Sequence, residues 1–148
     1  MNNLIGILMR FCREQIALMC DVERMFHQFR VSPEYLDYLR FIWFDSQGQP
    51  AVYRMRVHIF GSKSSPACST YGLRYLADSS HDVDDPDSVT AAKFIQTDFY
   101  VDDSLTSVET ADEASKLITN REICMSGNIC LHKFMSISSE VMEQDSSQ

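Results

Sequence analysis

The sequence has no apolar run long enough to cross a membrane. Leu4 to Met9 is six residues between polar flanks, against the roughly 20 that a spanning helix needs. Neither a transmembrane helix nor a signal peptide is expected. No two cysteines form a C-x-x-C pair, and the five present (12, 20, 68, 124 and 130) are odd in number. That pattern argues against a zinc site and for a reducing intracellular compartment, where Cys20 and Cys68 serve as small hydrophobes. Internal repeats are missing, and so is the basic stripe of a self-sufficient nucleic-acid binder. Positive charge is scarce and unevenly placed. Residues 1–76 hold nine Lys/Arg against six Asp/Glu, whereas residues 77–148 hold four against fifteen, and the net charge is −8. Only the first half could face a phosphate backbone.

What is present is enough for one folded domain. The chain has 148 residues, 45% hydrophobic and 11% aromatic, which predicts a real core rather than disorder. Its organising stretch is Phe99-Tyr100-Val101-Asp102-Asp103-Ser104-Leu105. Adjacent residues on a strand point to opposite faces. The two acids can therefore converge on one centre only where the backbone turns, and the β-favouring flanks predict a hairpin there. Carboxylates this close repel unless a cation lies between them, and hard oxygen donors select Mg²⁺ or Mn²⁺. By itself the pair also fits an acidic turn in a solvated hairpin. Upstream, Ile16 to Cys20 is an unbroken apolar run ending in Asp21, the pattern of a buried strand delivering one acid at its C-terminal end. Phe26 follows five positions later. Between the acids lies Phe60-Gly61-Ser62-Lys63-Ser64-Ser65-Pro66-Ala67, a glycine turn leading through proline into a helix.

The ordered set D-x(4)-F, F-G-x-K-x-x-P and Y-V-D-D resembles the palm of a reverse transcriptase, and more narrowly that of BEL/Pao long-terminal-repeat retrotransposons. The resemblance runs from about Leu4 to about Ser136. It implies an α/β (α+β) fold, with a small, mainly antiparallel sheet and helices packed on one side, over residues 1–135. It implies two Mg²⁺ (or Mn²⁺) ions, bridged by Asp21 and Asp102, with Asp103 supporting the site and the Val22 carbonyl adding an oxygen. Nucleotide-binding roles follow by the same resemblance. Phe26 would lie under the incoming sugar, where a ring clashes with a ribose 2′-hydroxyl; the same residue also fits a plain core position. Phe60 and Gly61 match the nucleotide-positioning turn, Tyr100 shapes the floor beneath the primer end, and Lys133 matches a lysine that approaches the leaving pyrophosphate. The implied partners are an RNA or DNA template with primer, deoxynucleoside triphosphates and further polyprotein domains (fingers, thumb, RNase H), in the cytoplasm or a virus-like particle. Only a short piece precedes Asp21 and no thumb follows, so the expectation is a palm without fingers or thumb. A catalytically silent palm relic used as an interaction surface, and an unrelated acidic binding domain, are the alternatives.

The remaining elements can be predicted in outline. Leu4, Ile7, Leu8 and Phe11 share one face of a helix over Asn3 to Phe11. Val22 to Arg30 suggests a single helical turn, and Ser32-Pro33 starts a second short helix. Tyr38 to Phe44 and Ala51 to Val57 read as a hairpin around the turn Asp45 to Pro50, with Arg54 and Arg56 on one face. Pro66 to about Ala77 and Val89 to Gln96 are helices around an acidic loop, Asp78 to Asp87. That loop fails as a calcium site because Pro86 falls on a ligand position and no glycine follows. Thr110 to Glu113 is a capping box opening a helix to about Met125, which ends at Ser126-Gly127-Asn128. Ile129 to Phe134 is a last strand, and 136–148 reads as a disordered tail.

Overall fold

The structure, a computed structural model, describes residues 2–119 and 129–145. The chain opens with helix α1 (Leu4–Phe11), whose N-cap Asn3 accepts a hydrogen bond from the Ile5 amide at 3.0 Å. Strand β1 (Ile16–Val22) follows, then α2 (Met25–Gln28) and a 3₁₀ segment (Pro33–Leu39). Strands β2 (Arg40–Phe44) and β3 (Pro50–Arg54) form a hairpin, and helices α3 (Ser65–Ser80) and α4 (Pro86–Thr97) come next. Then come β4 (Phe99–Tyr100), β5 (Asp103–Val108), α5 (Ala111–Thr119), β6 (Leu131–Ser136) and α6 (Ser139–Asp145). The fold is mixed α/β, with a small antiparallel sheet in the order β4-β5-β1-β6 and a separate two-stranded β2-β3 sheet.

The position of β1 follows from its composition. Leu18, Cys20 and Val22 alternate along it and are buried, and they meet Phe134 and Leu131 of β6 in one core. The helices cover that core with Leu73 and Ala77 of α3, Ala91, Phe94 and Ile95 of α4, and Leu117 and Ile118 of α5. The alternate face of β1 and β5 carries Met19 opposite Leu105, then Asp21 opposite Asp103. A period-2 strand thus puts its apolar side into the core and its terminal acid on the more open side.

Several boundaries differ from the sequence reading. The tail is the largest correction. Ser136 ends β6, and Ser139–Asp145 is a helix whose Val141 is completely buried in the core. An apolar anchor in a mostly polar segment is what composition overlooks. β3 ends at Arg54, so Arg56 lies beyond the strand. Arg54 is engaged rather than free, bonding Asp37 at 3.0 Å beside Arg40 at 2.9 Å. Those two guanidiniums hold the Asp37 carboxyl below its usual range by hydrogen bonding. The acidic loop is shorter than expected because α3 runs to Ser80 and Pro86 already starts α4. Asp85 caps α4, accepting from the Asp87 and Ser88 amides, as Asx N-caps do. Thr110 accepts from the Glu113 amide at 3.3 Å, while Glu113 reaches back to the amide of Glu109. The predicted end of that helix, from residue 120 to residue 128, lies outside the described residues. No helix among the described residues is long and apolar enough to cross a membrane.

Candidate functional site

Asp21 reaches the site as the penultimate residue of β1, held on both sides by neighbouring strands. Asp103 is its direct partner across the β1–β5 ladder, so the two carboxylates leave the sheet on one face. Asp102 sits in the two-residue turn between Tyr100 and Asp103, which pair with each other. The turn is stitched to β1 by the Val22 amide, which donates to the Asp102 carbonyl at 2.9 Å. Val101, the other turn residue, has φ +60°, the left-handed region that a β-branched residue enters only under tertiary constraint. Its side chain packs against the core. Apolar anchoring below and hydrogen bonding to β1 therefore hold two adjacent acids at a strained turn.

The hairpin base is fixed as firmly. Asp98, the residue before β4, is buried and accepts from Arg10 Nε at 2.9 Å and Thr106 Oγ1 at 3.0 Å. Arg10 Nη2 also donates to the Thr97 carbonyl at 2.6 Å. The backbone closes around the same residue, with the Leu105 amide on the Asp98 carbonyl at 3.1 Å. Helix α1 thereby clamps the root of the hairpin.

Electrostatically the acids feel one another. The Asp103 carboxyl is pushed above its usual range, first by its partial burial, then by the charges of Asp102 and Asp21, with Lys133 opposing. Asp21 already has two partners on β6. His132 Nε2 lies 3.1 Å from Asp21 Oδ1, and Lys133 Nζ lies 3.6 Å from Oδ2. His132 escaped the sequence reading. It stands one residue before the singled-out Lys133, and its place opposite Asp21 is set by β6 register, which local pattern does not report.

The remaining predicted residues fall in two places. Tyr100 is half-buried and pairs with Asp103 at the hairpin, while Val22 is buried at the end of β1. Phe26 and Phe60, far apart in sequence, meet edge-to-face with ring centroids 4.8 Å apart. Phe26 is 7% exposed and Phe60 is 70% exposed, so Phe60 covers the inner ring and presents the outer surface. Gly61 has φ +82° and open space around it, a backbone state that glycine adopts without strain.

The donor chemistry of Asp21, Asp102 and Asp103 suits a hard divalent cation. Among the described residues, however, no three His, Cys, Asp or Glu side chains converge as a ready-made cage. Asp21 faces the His132 and Lys133 side chains instead.

No protein-family model matches the chain, and no curated protein matches it. Among solved structures it is similar to a foamy viral protease-reverse transcriptase determined in complex with an RNA/DNA hybrid. The TM-score is 0.60 at 21% identity, over 88% of this chain and 15% of that one. The likeness is one of fold: the chain has a reverse-transcriptase-like fold and spans a small part of that chain's length.

Proposed function

We propose that this chain is the palm segment of an RNA-directed DNA polymerase of the BEL/Pao-like retroelement type. Its reaction is the transfer of a deoxynucleoside monophosphate from a triphosphate to a primer 3′-hydroxyl on an RNA or DNA template. The observation that carries this reading is the register that sets Asp21 against Asp103 beside Asp102, in a reverse-transcriptase-like fold. Two divalent ions, Mg²⁺ or Mn²⁺, would supply charge compensation at the attacking and leaving oxygens.

The chain's own residues have separable tasks in this reading. Asp21 and Asp102 would be the ligands, supplemented by the Val22 carbonyl, and Asp103 would support them from its place directly opposite Asp21 in the ladder. Tyr100 and the strained Val101 form the floor under the primer end. The Phe26–Phe60 pair offers an apolar wall with no hydrogen-bond donor for a 2′-hydroxyl, which favours a deoxyribose. Gly61 lets backbone approach the nucleotide closely. Lys133 supplies positive charge on the side of Asp21. Positioning of primer and triphosphate is worth several kcal/mol of barrier, and in this reading fingers, thumb and RNase H domains of a polyprotein share that work.

The test is primer extension on an RNA template with Mg²⁺ or Mn²⁺, using the chain alone and the chain within its natural flanking sequence. Extension is expected only in the second case and is abolished by Asp102→Asn. Extension that survives Asp102→Asn would refute the assignment.

A further inference from the structure

Strand β6 carries an extra residue beside the acid cluster. Met19 faces Met135 and Asp21 faces His132, so two steps along β1 match three along β6. The ladder breaks there in a β-bulge. On a regular strand, His132 and Lys133 would point to opposite faces. Here Lys133 has φ +52°, in the left-handed region, and both side chains reach the same carboxylate. His132 Nε2 takes Asp21 Oδ1 at 3.1 Å, and Lys133 Nζ takes Oδ2 at 3.6 Å. Bulges re-aim side chains in this way, and the conformational strain is tolerated because surrounding strands hold it.

We propose that these neighbours act on Asp21 in opposite senses: His132 is a positioning residue that fixes Oδ1, and Lys133 is the resident counter-ion on Oδ2, displaced by an incoming divalent cation. The inference rests on reading the three acids as metal ligands. Metal-binding carboxylates need outer partners that fix their orientation, and His132 is placed for that duty on a paired strand. Lys133 is suited to leave. Its side chain is 67% exposed, so its ammonium can swing into water while β6 stays in place. Its charge also reaches Asp103, where it opposes the effect of the two neighbouring acids. Metal entry is then an exchange of one cation for another, with no bond to the backbone disturbed.

The experiment titrates Mn²⁺ alone into the full chain and reads free Mn²⁺ by electron paramagnetic resonance, with Asp21→Asn identifying the site. Lys133→Met should bind Mn²⁺ about three- to tenfold tighter, because a competing charge is gone, while Lys133→Arg should stay near wild type. His132→Ala should bind about tenfold weaker, and His132→Asn, which keeps a donor, should recover part of the loss. Circular dichroism melting checks that each variant is folded. Should His132→Ala fail that check, an affinity for His132→Asn below wild type carries the positioning claim, and unchanged affinity overturns it. Lys133→Met binding no tighter than wild type would overturn the counter-ion role, the metal-centre reading standing if Asp21→Asn still abolishes binding. Wild-type binding indifferent to Asp21→Asn would sink both.

Discussion

Replacing Arg10 by methionine tests whether the α1 clamp holds the β4–β5 hairpin that carries Asp102 and Asp103. The substitution keeps the length and apolar stem of the side chain and deletes its two hydrogen bonds, to Asp98 Oδ1 at 2.9 Å and to the Thr97 carbonyl at 2.6 Å. Asp98 then keeps the Thr106 hydroxyl at 3.0 Å and loses its charge partner. Stranding a fully buried carboxylate costs about 3–5 kcal/mol. Here the Asp98 side chain is 11% exposed but that of Arg10 is 46% exposed, so water can enter from the arginine side. The expected loss is therefore about 2 kcal/mol, near that of a hydrogen bond to a charged group. For a chain of this size that lowers Tm by about 4–8 °C. Urea unfolding should be followed by far-UV circular dichroism, since Trp43 is 65% exposed in the β2–β3 hairpin and a poor reporter of the core. Asp98→Asn retains the Thr106 partner and removes the charge. In that background Arg10→Met should cost about 1 kcal/mol less than it does alone. A loss under about 0.5 kcal/mol, or equal losses in both backgrounds, would refute the clamp.

Two further substitutions probe packing and charge. Gly72→Ala would place a Cβ 2.1 Å from the Phe29 ring, so it should cost about 1–3 kcal/mol by overpacking. Phe29→Leu combined with it should recover part of that loss in the same urea assay. Asp103→Asn addresses the raised carboxyl. A group whose pKa is higher folded than unfolded penalises the fold once ionised. The penalty is absent below the unfolded value, grows as pH rises through the folded value, and stays above it. The variant should therefore melt higher than wild type at pH 7 without metal, with the difference vanishing toward pH 3. A lower Tm at pH 7 would contradict the electrostatic picture.

The parts of this fold that were legible in the sequence are those written in local pattern. The apolar run before Asp21 and the β-favouring flanks of the acid pair suffice for β1 and the β4–β5 hairpin. Pro66 and the Thr110 cap place helix starts within a few residues, whereas Pro86, which reads as part of an acidic loop, starts α4. What stayed hidden depends on register or on a single contact. The bulge that brings His132 and Lys133 to one carboxylate is a property of β1–β6 pairing, and no spacing within 129–136 reveals it. Helix α6 buries Val141 in the core, from a mostly polar segment that composition reads as disorder. The contact between Phe26 and Phe60 joins residues far apart in sequence, and it is Phe60 that presents the exposed ring. The β2–β3 hairpin is legible from its strand and turn residues, and its first strand is exposed, with Ile42 at 71%.

The polymerase reading requires that the three acids form one cation site. The most direct measurement is paramagnetic broadening of amide signals from the ¹⁵N-labelled chain on adding substoichiometric Mn²⁺. Signals from residues 20–22, 100–104 and 131–133 should broaden first and together, and Asp21→Asn should abolish the effect. Broadening centred instead on the acidic connection between α3 and α4, where Asp82, Asp84 and Asp85 cluster in sequence, with the hairpin unaffected, would contradict this reading.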